Sequence, residues 1–323
     1  MTIPLVDVPR IPIGSTIESF FDWLTDNMDG FFDAITDVGE AVVEGLIGLL
    51  QAPDPLAMAL IFALLGLVVR GWRFAVLALL GLLLIDSMGQ WDAAMETLAL
   101  VVVATTVAVV IALPLGILAA RSRRVSTAFK PILDLMQTMP AFVWLVPVVT
   151  LFSIGVVPGV VATIIFSLPP GVRLTELGIR NVDAETVEAA NAFGATPRQT
   201  LLGVQLPLAL PTIMAGINQV IMLALSMAVI AGLVGAEGLG GAVTEAIATL
   251  NLALGFEAGL SVVMLAIYLD RVTASIGSGQ GGPALRFWRH RRRPSLQQEE
   301  SADEETAQAE PVVPDDLHTK IGA

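Results

Sequence analysis

Long apolar runs alternate with short polar segments along most of this chain, and the runs approach 20 residues in length. About 20 apolar residues are needed for a helix to cross the hydrocarbon core of a bilayer. The expected fold class is therefore all-α, a polytopic membrane protein with about seven transmembrane helices. The predicted spans are residues 56–70, 73–89, 96–120, 132–154, 156–175, 208–234 and 256–276.

A different pattern precedes the first span. Between Ser15 and Leu50, apolar residues recur at helical spacing, and aspartates from Asp22 to Asp37 occupy much of the opposite side. This indicates an amphipathic helix, which either lies on the outer membrane surface or packs on the outer face of the protein itself. We expect residues 1–55 to form an external acidic segment and residues 56–276 to form the transmembrane domain.

Lysine and arginine predict the orientation, because basic loops are retained in the cytoplasm. With seven spans and the N-terminus outside, every lysine and arginine except Arg10 lies on the cytoplasmic side. The loops 86–96 and 235–257 on the other side contain no basic residue. The C-terminus is then inside, and one span more or fewer would scramble the pattern.

Composition changes this picture in two ways. The net charge of −13 comes mainly from acidic residues near the two ends of the chain. The segment 277–323 is basic and then acidic, and we expect a cytoplasmic disordered tail whose basic cluster 286–293 meets anionic lipid headgroups rather than nucleic acid. No basic region precedes an apolar run near Met1, so no cleavable signal peptide is expected.

Residues 182–207 form a polar interruption between two apolar spans. Asp183 is a good N-cap for a helix through Phe193, and Gly194 can adopt the left-handed conformation that ends it. Thr196 then caps a second helix, with Pro197 at its first position and Gln199 completing a capping box. The segment is predicted to be a helix–turn–helix displayed toward the cytoplasm.

This segment resembles the EAA loop of ABC importer permeases. Its Glu-Ala-Ala at 188–190, Gly194 and the Val-Gln-Leu-Pro at 204–207 have the family's spacing, with valine where isoleucine is usual. The resemblance implies a coupling helix that docks on a cytoplasmic ABC ATPase subunit. The residues that it implies for ATPase coupling are Glu188, Ala189, Ala190, Phe193, Gly194, Leu206 and Pro207.

The wider sequence is similar to the glycine betaine/proline betaine permease family of osmoprotectant importers. The similarity covers residues 90–276, including the stretches 133–147, 154–182, 205–240 and 254–271. It implies the type I ABC importer permease core, a permease homodimer and an external solute-binding protein in a bacterial or archaeal cytoplasmic membrane. Permeases for choline, carnitine, proline or another small solute share much of this pattern and stay open.

The chain lacks the sequence for its own ATP hydrolysis. A phosphate-binding P-loop needs glycine before lysine, and neither Lys130 nor Lys320 follows a glycine. We therefore expect a transport subunit rather than an enzyme, without catalytic residues, and with ATP and Mg²⁺ bound by the partner ATPase. The absence of cysteine, and two histidines confined to the tail, argue against a metal site or a membrane enzyme.

The sequence indicates residues of the solute path less specifically than it indicates the coupling loop. Phe142 and Trp144 could hold a quaternary ammonium group by cation–π attraction, although packing aromatics are the more ordinary interpretation. The polar residues Asn218, Gln219 and Ser226 line the path or hydrogen-bond between helices. An ATP-independent transporter or channel is a competing hypothesis, but ionisable residues central in the spans, which ion-coupled transporters often use, are not evident.

Overall fold

The computed structural model of the protein describes residues 12–277. This range is helical, and it contains no β-strand, which confirms the all-α prediction. Residues 1–11 and 278–323 lie outside the described range, and so do the predictions for the basic cluster 286–293 and the acidic tail.

Capping residues and prolines set many of the helix boundaries. The helices are α1 (Ile13–Gln51), α2 (Pro55–Arg70), α3 (Trp72–Ser87), α4 (Trp91–Arg121), α5 (Arg123–Thr138), α6 (Leu145–Phe152), α7 (Val156–Arg180), α8 (Ala184–Ala192), α9 (Pro197–Thr200), α10 (Leu206–Ala231), α11 (Leu239–Thr249) and α12 (Leu252–Gly277). The Asp54 side chain accepts a hydrogen bond from the Leu56 amide at the start of α2. Ser122 caps α5 in the same way through the Val125 amide.

The centre of the bundle is built from α4, α7 and α10, which pack along much of their lengths. Small residues let these helices approach closely. A Cβ on Gly116 of α4 would lie 2.5 Å from the Thr175 Cβ of α7, and a Cβ on Gly171 of α7 would lie 2.9 Å from the Ala112 Cβ. Helices in lipid associate through such close packing because the lipid supplies no hydrophobic drive between them.

The number of spans differs from the predicted seven. Among the described residues, four helical segments are long and apolar enough to cross a membrane, or six if two bent helix pairs each count as one span. α2 and α3 are each 16 residues long and form a hairpin around Gly71. At 1.5 Å per residue, 16 residues extend about 24 Å, less than the roughly 30 Å hydrocarbon core.

The predicted span 132–154 is not one straight helix. It divides at Met139 and Pro140, and α5 and α6 are bent by 108° across a 3₁₀ turn at Ala141–Trp144. Met139 has an extended backbone, which residues before proline favour. α5 itself carries Arg123, Arg124 and Lys130 and is strongly amphipathic, unlike a helix surrounded by lipid.

The N-terminal helix α1 packs on the bundle with its second half. Phe32 and Val43 are buried, and the Phe32 ring contacts Phe152 of α6 edge-on at 5.4 Å. A Cβ on Gly39 would lie 3.1 Å from Val157 of α7. Of the two placements considered from the sequence, packing on the protein itself is therefore supported.

Long-range contacts place the basic residues at one end of the bundle. Arg180 at the end of α7 donates to the Ala119 carbonyl near the end of α4, at 2.8 Å. Arg70 at the end of α2 donates to the Arg271 carbonyl in α12, at 3.3 Å. The opposite end is held where the Leu239 amide of α11 donates to Thr97 Oγ1 of α4, at 2.8 Å. The end that carries these arginines is called the basic end below.

Candidate coupling loop and solute path

The first helix of the 182–207 segment forms as its sequence predicts. Asp183 is the N-cap, and its carboxylate accepts from the Glu185 amide at 3.2 Å. α8 then runs to Ala192, Phe193 is the C-cap, and Gly194 has a φ of +81°. The left-handed glycine after the helix confirms the predicted termination.

The second helix also starts as predicted, and it continues further than predicted. Thr196 and Gln199 form a reciprocal capping box, with Pro197 at the first helical position. The helix does not end before the next span, because residues 197–234 form one helical segment with a π-helical stretch at Leu201–Gln205. Pro207 has no amide hydrogen to donate in the next turn, and a wider turn is one way to accommodate such a loss.

A hydrogen bond joins the two helices of the loop. Thr200 Oγ1 donates to Asn191 Oδ1 at 3.2 Å, and Thr200 is buried. The angle between α8 and α9 is thus held both by the Gly194 turn and by this contact.

The outer surface of the loop is open. Phe193 is 93% exposed, which is unusual for an aromatic side chain unless something binds it. Glu188, Ala189 and Gly194 are also exposed, while Ala190 is half-buried. The side of α8 that carries Glu188, Ala189 and the adjoining Phe193 therefore offers a small-residue surface with one aromatic projection.

The inner surface of the loop packs on the bundle. Leu201 is buried with Ile179 of α7 and with Ala209 and Ile213 of α10. Leu206 packs against the same cluster, and Pro207 is exposed. A force on α8 would therefore reach α7 and α10, two of the three helices at the centre of the bundle.

Removing the Thr196 cap should loosen the loop without disturbing the bundle. The variant Thr196→Ala loses the side-chain acceptor of the Gln199 amide, and loss of such a cap costs about 1 kcal/mol. We expect roughly fivefold faster amide hydrogen exchange at Gln199. The matched control is Thr127→Ala, because the exposed Thr127 bonds only to the Arg123 carbonyl of its own helix. Equal exchange at Gln199 in Thr196→Ala and the wild type would contradict the capping role.

The predicted path residues on α10 do not share one environment. Gln219 and Ser226 are exposed on one side of α10. The neighbouring Asn218 instead turns toward α12, where its Nδ2 donates to Asp270 Oδ1 at 2.8 Å, and its Oδ1 is buried without a hydrogen-bond partner. Gln219 and Ser226 are thus available to a solute, whereas Asn218 connects two helices.

The aromatic candidates occupy the turn between α5 and α6. Phe142 is 59% exposed in the 3₁₀ turn that contacts α10. Trp144 is half-buried, and its Nε1 donates to the Met136 carbonyl at 3.3 Å. This hydrogen bond stabilises the bend between α5 and α6. Phe142 is therefore the better placed of the two to meet a solute.

Two polar contacts between helices were not expected from the sequence. Arg173 of α7 donates to Gln137 Oε1 of α5 at 2.8 Å and forms an ion pair with Asp134. The second is the Asn218–Asp270 pair described above. The partners lie 36 to 52 residues apart in the sequence, so no local spacing rule could have joined them.

The helical core, the apolar spans and the capped loop between α7 and α10 define a multi-pass membrane permease. Residues 112–276 match the family described as the binding-protein-dependent transport system inner membrane component. The chain belongs to this family of transport permeases, so it is a transport subunit rather than an enzyme.

Relatives extend the match beyond this region. The chain is 49% identical to the glycine betaine transport system permease protein OpuAB of Bacillus subtilis over 83% of this chain and 95% of the relative. It is 47% identical to the glycine betaine/proline betaine permease protein ProW of Escherichia coli over 86% and 78%, respectively. The glycine betaine/carnitine permease protein GbuB of Listeria monocytogenes is 47% identical over 83% and 96%.

The fold also resembles a solved transporter. A chain of the MetNI methionine ABC transporter in an inward-facing conformation matches with a TM-score of 0.50 and 25% identity. The match covers 56% of this chain and 91% of that chain. This likeness supports the type I importer permease core predicted from the sequence.

Proposed function

We propose that this chain is the permease subunit of an ATP-driven importer of glycine betaine and proline betaine. Three relatives at 47% identity or more, each matched over at least 83% of this chain, are named as glycine betaine permeases. This agreement over nearly the whole permease is the observation that carries the proposal. Carnitine is the second candidate solute, because GbuB is named for both solutes.

The loop 182–207 is proposed to be the docking site for the ATPase. Its exposed Phe193 and alanine surface can enter a groove on a partner, while Leu201 and Leu206 connect the loop to α7 and α10. Rigid-body movement of a docked helix is a known way to transmit a conformational change. The seven residues that the resemblance implies for ATPase coupling remain the proposed coupling set, and Phe193 has 93% of its surface exposed.

The proposed orientation rests on the basic end of the bundle. Arg70, Arg121 and Arg180 lie in the last turns of α2, α4 and α7 at the side of the bundle that carries the loop, and basic segments are retained in the cytoplasm. We place this end, the ATPase and the C-terminus in the cytoplasm. α1 and α11 then face the solute-binding protein outside.

The solute path is proposed to lie between two copies of the chain. The exposed side of α10 with Gln219 and Ser226, next to Phe142, would line it. Polar groups and one aromatic face suit a solute with a quaternary ammonium group and a carboxylate. In this proposal Asn218 and Trp144 shape the path from behind rather than touch the solute.

Uptake by the assembled transporter tests the proposed solute. The chain, its cognate ATPase and its binding protein would be reconstituted in vesicles with ATP enclosed on the ATPase side. We expect ATP-dependent uptake of labelled glycine betaine that excess proline betaine suppresses and excess proline does not. Vesicles holding an ATPase variant unable to hydrolyse ATP are the control.

The competitors separate the alternatives. Strong suppression by carnitine would extend the solute range to the second candidate. Uptake without ATP would overturn the ABC importer proposal. If the chain, the ATPase and the binding protein assemble but take up no glycine betaine, the proposed solute is overturned. The family membership would be unaffected.

A further inference from the structure

A groove of about 500 Å³ lies outside the coupling loop and the proposed path. It runs between α3 and α12, with Phe74, Leu77 and Gly81 on one side and Met264 and Ile267 on the other. Gly81 keeps the groove deep, since a Cβ there would already touch the Met264 sulfur at 3.4 Å. Leu77 is 68% exposed, so the groove opens to the surroundings of the bundle.

One end of this groove is strongly basic. Arg70, Arg73 and Arg271 line it at the basic end of the bundle. Within the described residues, no carboxylate forms an ion pair with Arg70 or Arg73. Arg271 has only a loose pairing with its neighbour Asp270, at 3.7 Å, and the Asp270 carboxylate also accepts from Asn218. The cluster therefore keeps positive charge that no described partner neutralises.

The length of the groove matches one leaflet of a membrane. From Arg73 to Leu82 the helix rises about 13.5 Å at 1.5 Å per residue. Half of the hydrocarbon core is about 15 Å thick. The arginines thus lie near the level of the headgroups when the apolar part of the groove lies among the acyl chains.

We propose that this groove is a binding site for an anionic phospholipid. The phosphate lies among Arg70, Arg73 and Arg271, and one acyl chain follows the groove between α3 and α12. Basic pockets between helices bind anionic headgroups by the same combination of charge and apolar contact. The site is separate from the solute path, and the proposal does not depend on which solute is transported.

An acidic peptide is a less suitable occupant. The acidic run after Pro294 could neutralise the arginines, but its glutamates and aspartates offer nothing for the apolar part of the groove. An amphiphile satisfies both parts at once. The acidic tail and a second copy of the chain are therefore alternative occupants of the groove, and the experiment has to be able to detect them.

Native mass spectrometry of the full-length chain released from nanodiscs would count retained lipids. With phosphatidylglycerol we expect one retained lipid per chain, and with phosphatidylcholine far less. Each basic side chain near the headgroups contributes a factor of about five in affinity, so Arg70→Gln with Arg73→Gln should weaken phosphatidylglycerol binding about 25-fold. The matched control is Arg123→Gln with Arg124→Gln, which removes the same charge at the same end but outside the groove.

A second variant tests the apolar part without changing charge. Gly81→Leu places a side chain in the groove beside Met264 and should reduce lipid retention at least tenfold. Gly259→Leu is its control, because a Cβ on Gly259 has no neighbour within 4 Å. Equal losses in Gly81→Leu and Gly259→Leu would overturn the groove as the acyl-chain site.

Two further experiments identify the molecule that occupies the groove. Glycerol phosphate added at the concentration of the lipid should not displace it, and displacement would show that the phosphate group alone is recognised. A photo-reactive benzophenone residue in place of Leu77 should capture phospholipid. Capture of the acidic tail or of a second copy, or equal loss in the two double arginine variants, would overturn the proposal.

Discussion

Replacing Gly194 with valine should uncouple ATP hydrolysis from solute uptake while the chain still inserts into the membrane. Gly194 has a φ of +81°, a conformation that costs a β-branched residue about 1–2 kcal/mol or more. A Cβ at this position would meet nothing within 4 Å, so the effect comes from the backbone rather than from a clash. The strained turn would relax, and Phe193 and α8 would change direction relative to α9.

The measurement compares uptake with ATP hydrolysis in reconstituted vesicles. We expect uptake by Gly194→Val to fall at least tenfold, with less of the hydrolysis converted into transport. Gly194→Asn is the matched control, because asparagine tolerates the left-handed region and should retain at least half of the uptake. Unchanged coupling in Gly194→Val would contradict the proposed role of the loop.

The loop also shows which kind of structure could be predicted from sequence. Its caps join residues that are two or three positions apart, such as Asp183 with Glu185 and Thr196 with Gln199. Local rules for helix ends contain all the information that such contacts need. The resemblance to a family then proposes a role for the loop, and that role stays a prediction.

The membrane spans were predicted less well, because hydropathy reports composition and not the direction of a helix. The run 132–154 is apolar enough on average, but its first part belongs to the amphipathic α5 and its second part follows a 108° bend. α2 and α3 were counted as spans although each has only 16 residues. Their pairing as a hairpin depends on contacts that a hydropathy window does not include.

The path residues could be proposed by type but not assigned to a face. Asn218 and Gln219 are adjacent, and adjacent residues on a helix point about 100° apart. Which of the two meets a solute depends on where α12 lies, because Asp270 of α12 binds Asn218. The sequence of α10 alone therefore cannot distinguish a path residue from a helix-to-helix contact.

The end of the bundle opposite the basic end depends on direct contact between two glycine backbones. A Cβ on Gly232 would lie 2.2 Å from the carbonyl carbon of Gly240, and a Cβ on Gly240 would lie 2.6 Å from the Ala228 oxygen. This contact holds α11 on the end of α10. The amide of Leu239, next to Gly240, is fixed from the other side by Thr97.

Gly232→Ala should therefore destabilise the protein, against the expectation from helix propensity. Alanine is favoured over glycine in a helix by about 1 kcal/mol, and the φ of Gly232, −56°, is helical. Overpacking at a rigid contact costs about 1–3 kcal/mol or more, and here the obstructing atoms are backbone that cannot rotate away. Since the added Cβ would lie far inside van der Waals distance of the Gly240 backbone, we expect the clash to dominate, with a net loss of about 2 kcal/mol.

Thermal unfolding of the purified chain in detergent measures the balance between helix propensity and the backbone clash. Gly241→Ala is the matched control. A Cβ on Gly241 would meet only the Ala236 oxygen, at 3.5 Å, so this variant should unfold at the wild-type temperature or slightly above it. Gly232→Ala should unfold several degrees lower. If both variants were stabilised alike, helix propensity would outweigh the contact, and α11 could not be held to α10 by the approach of their glycine backbones.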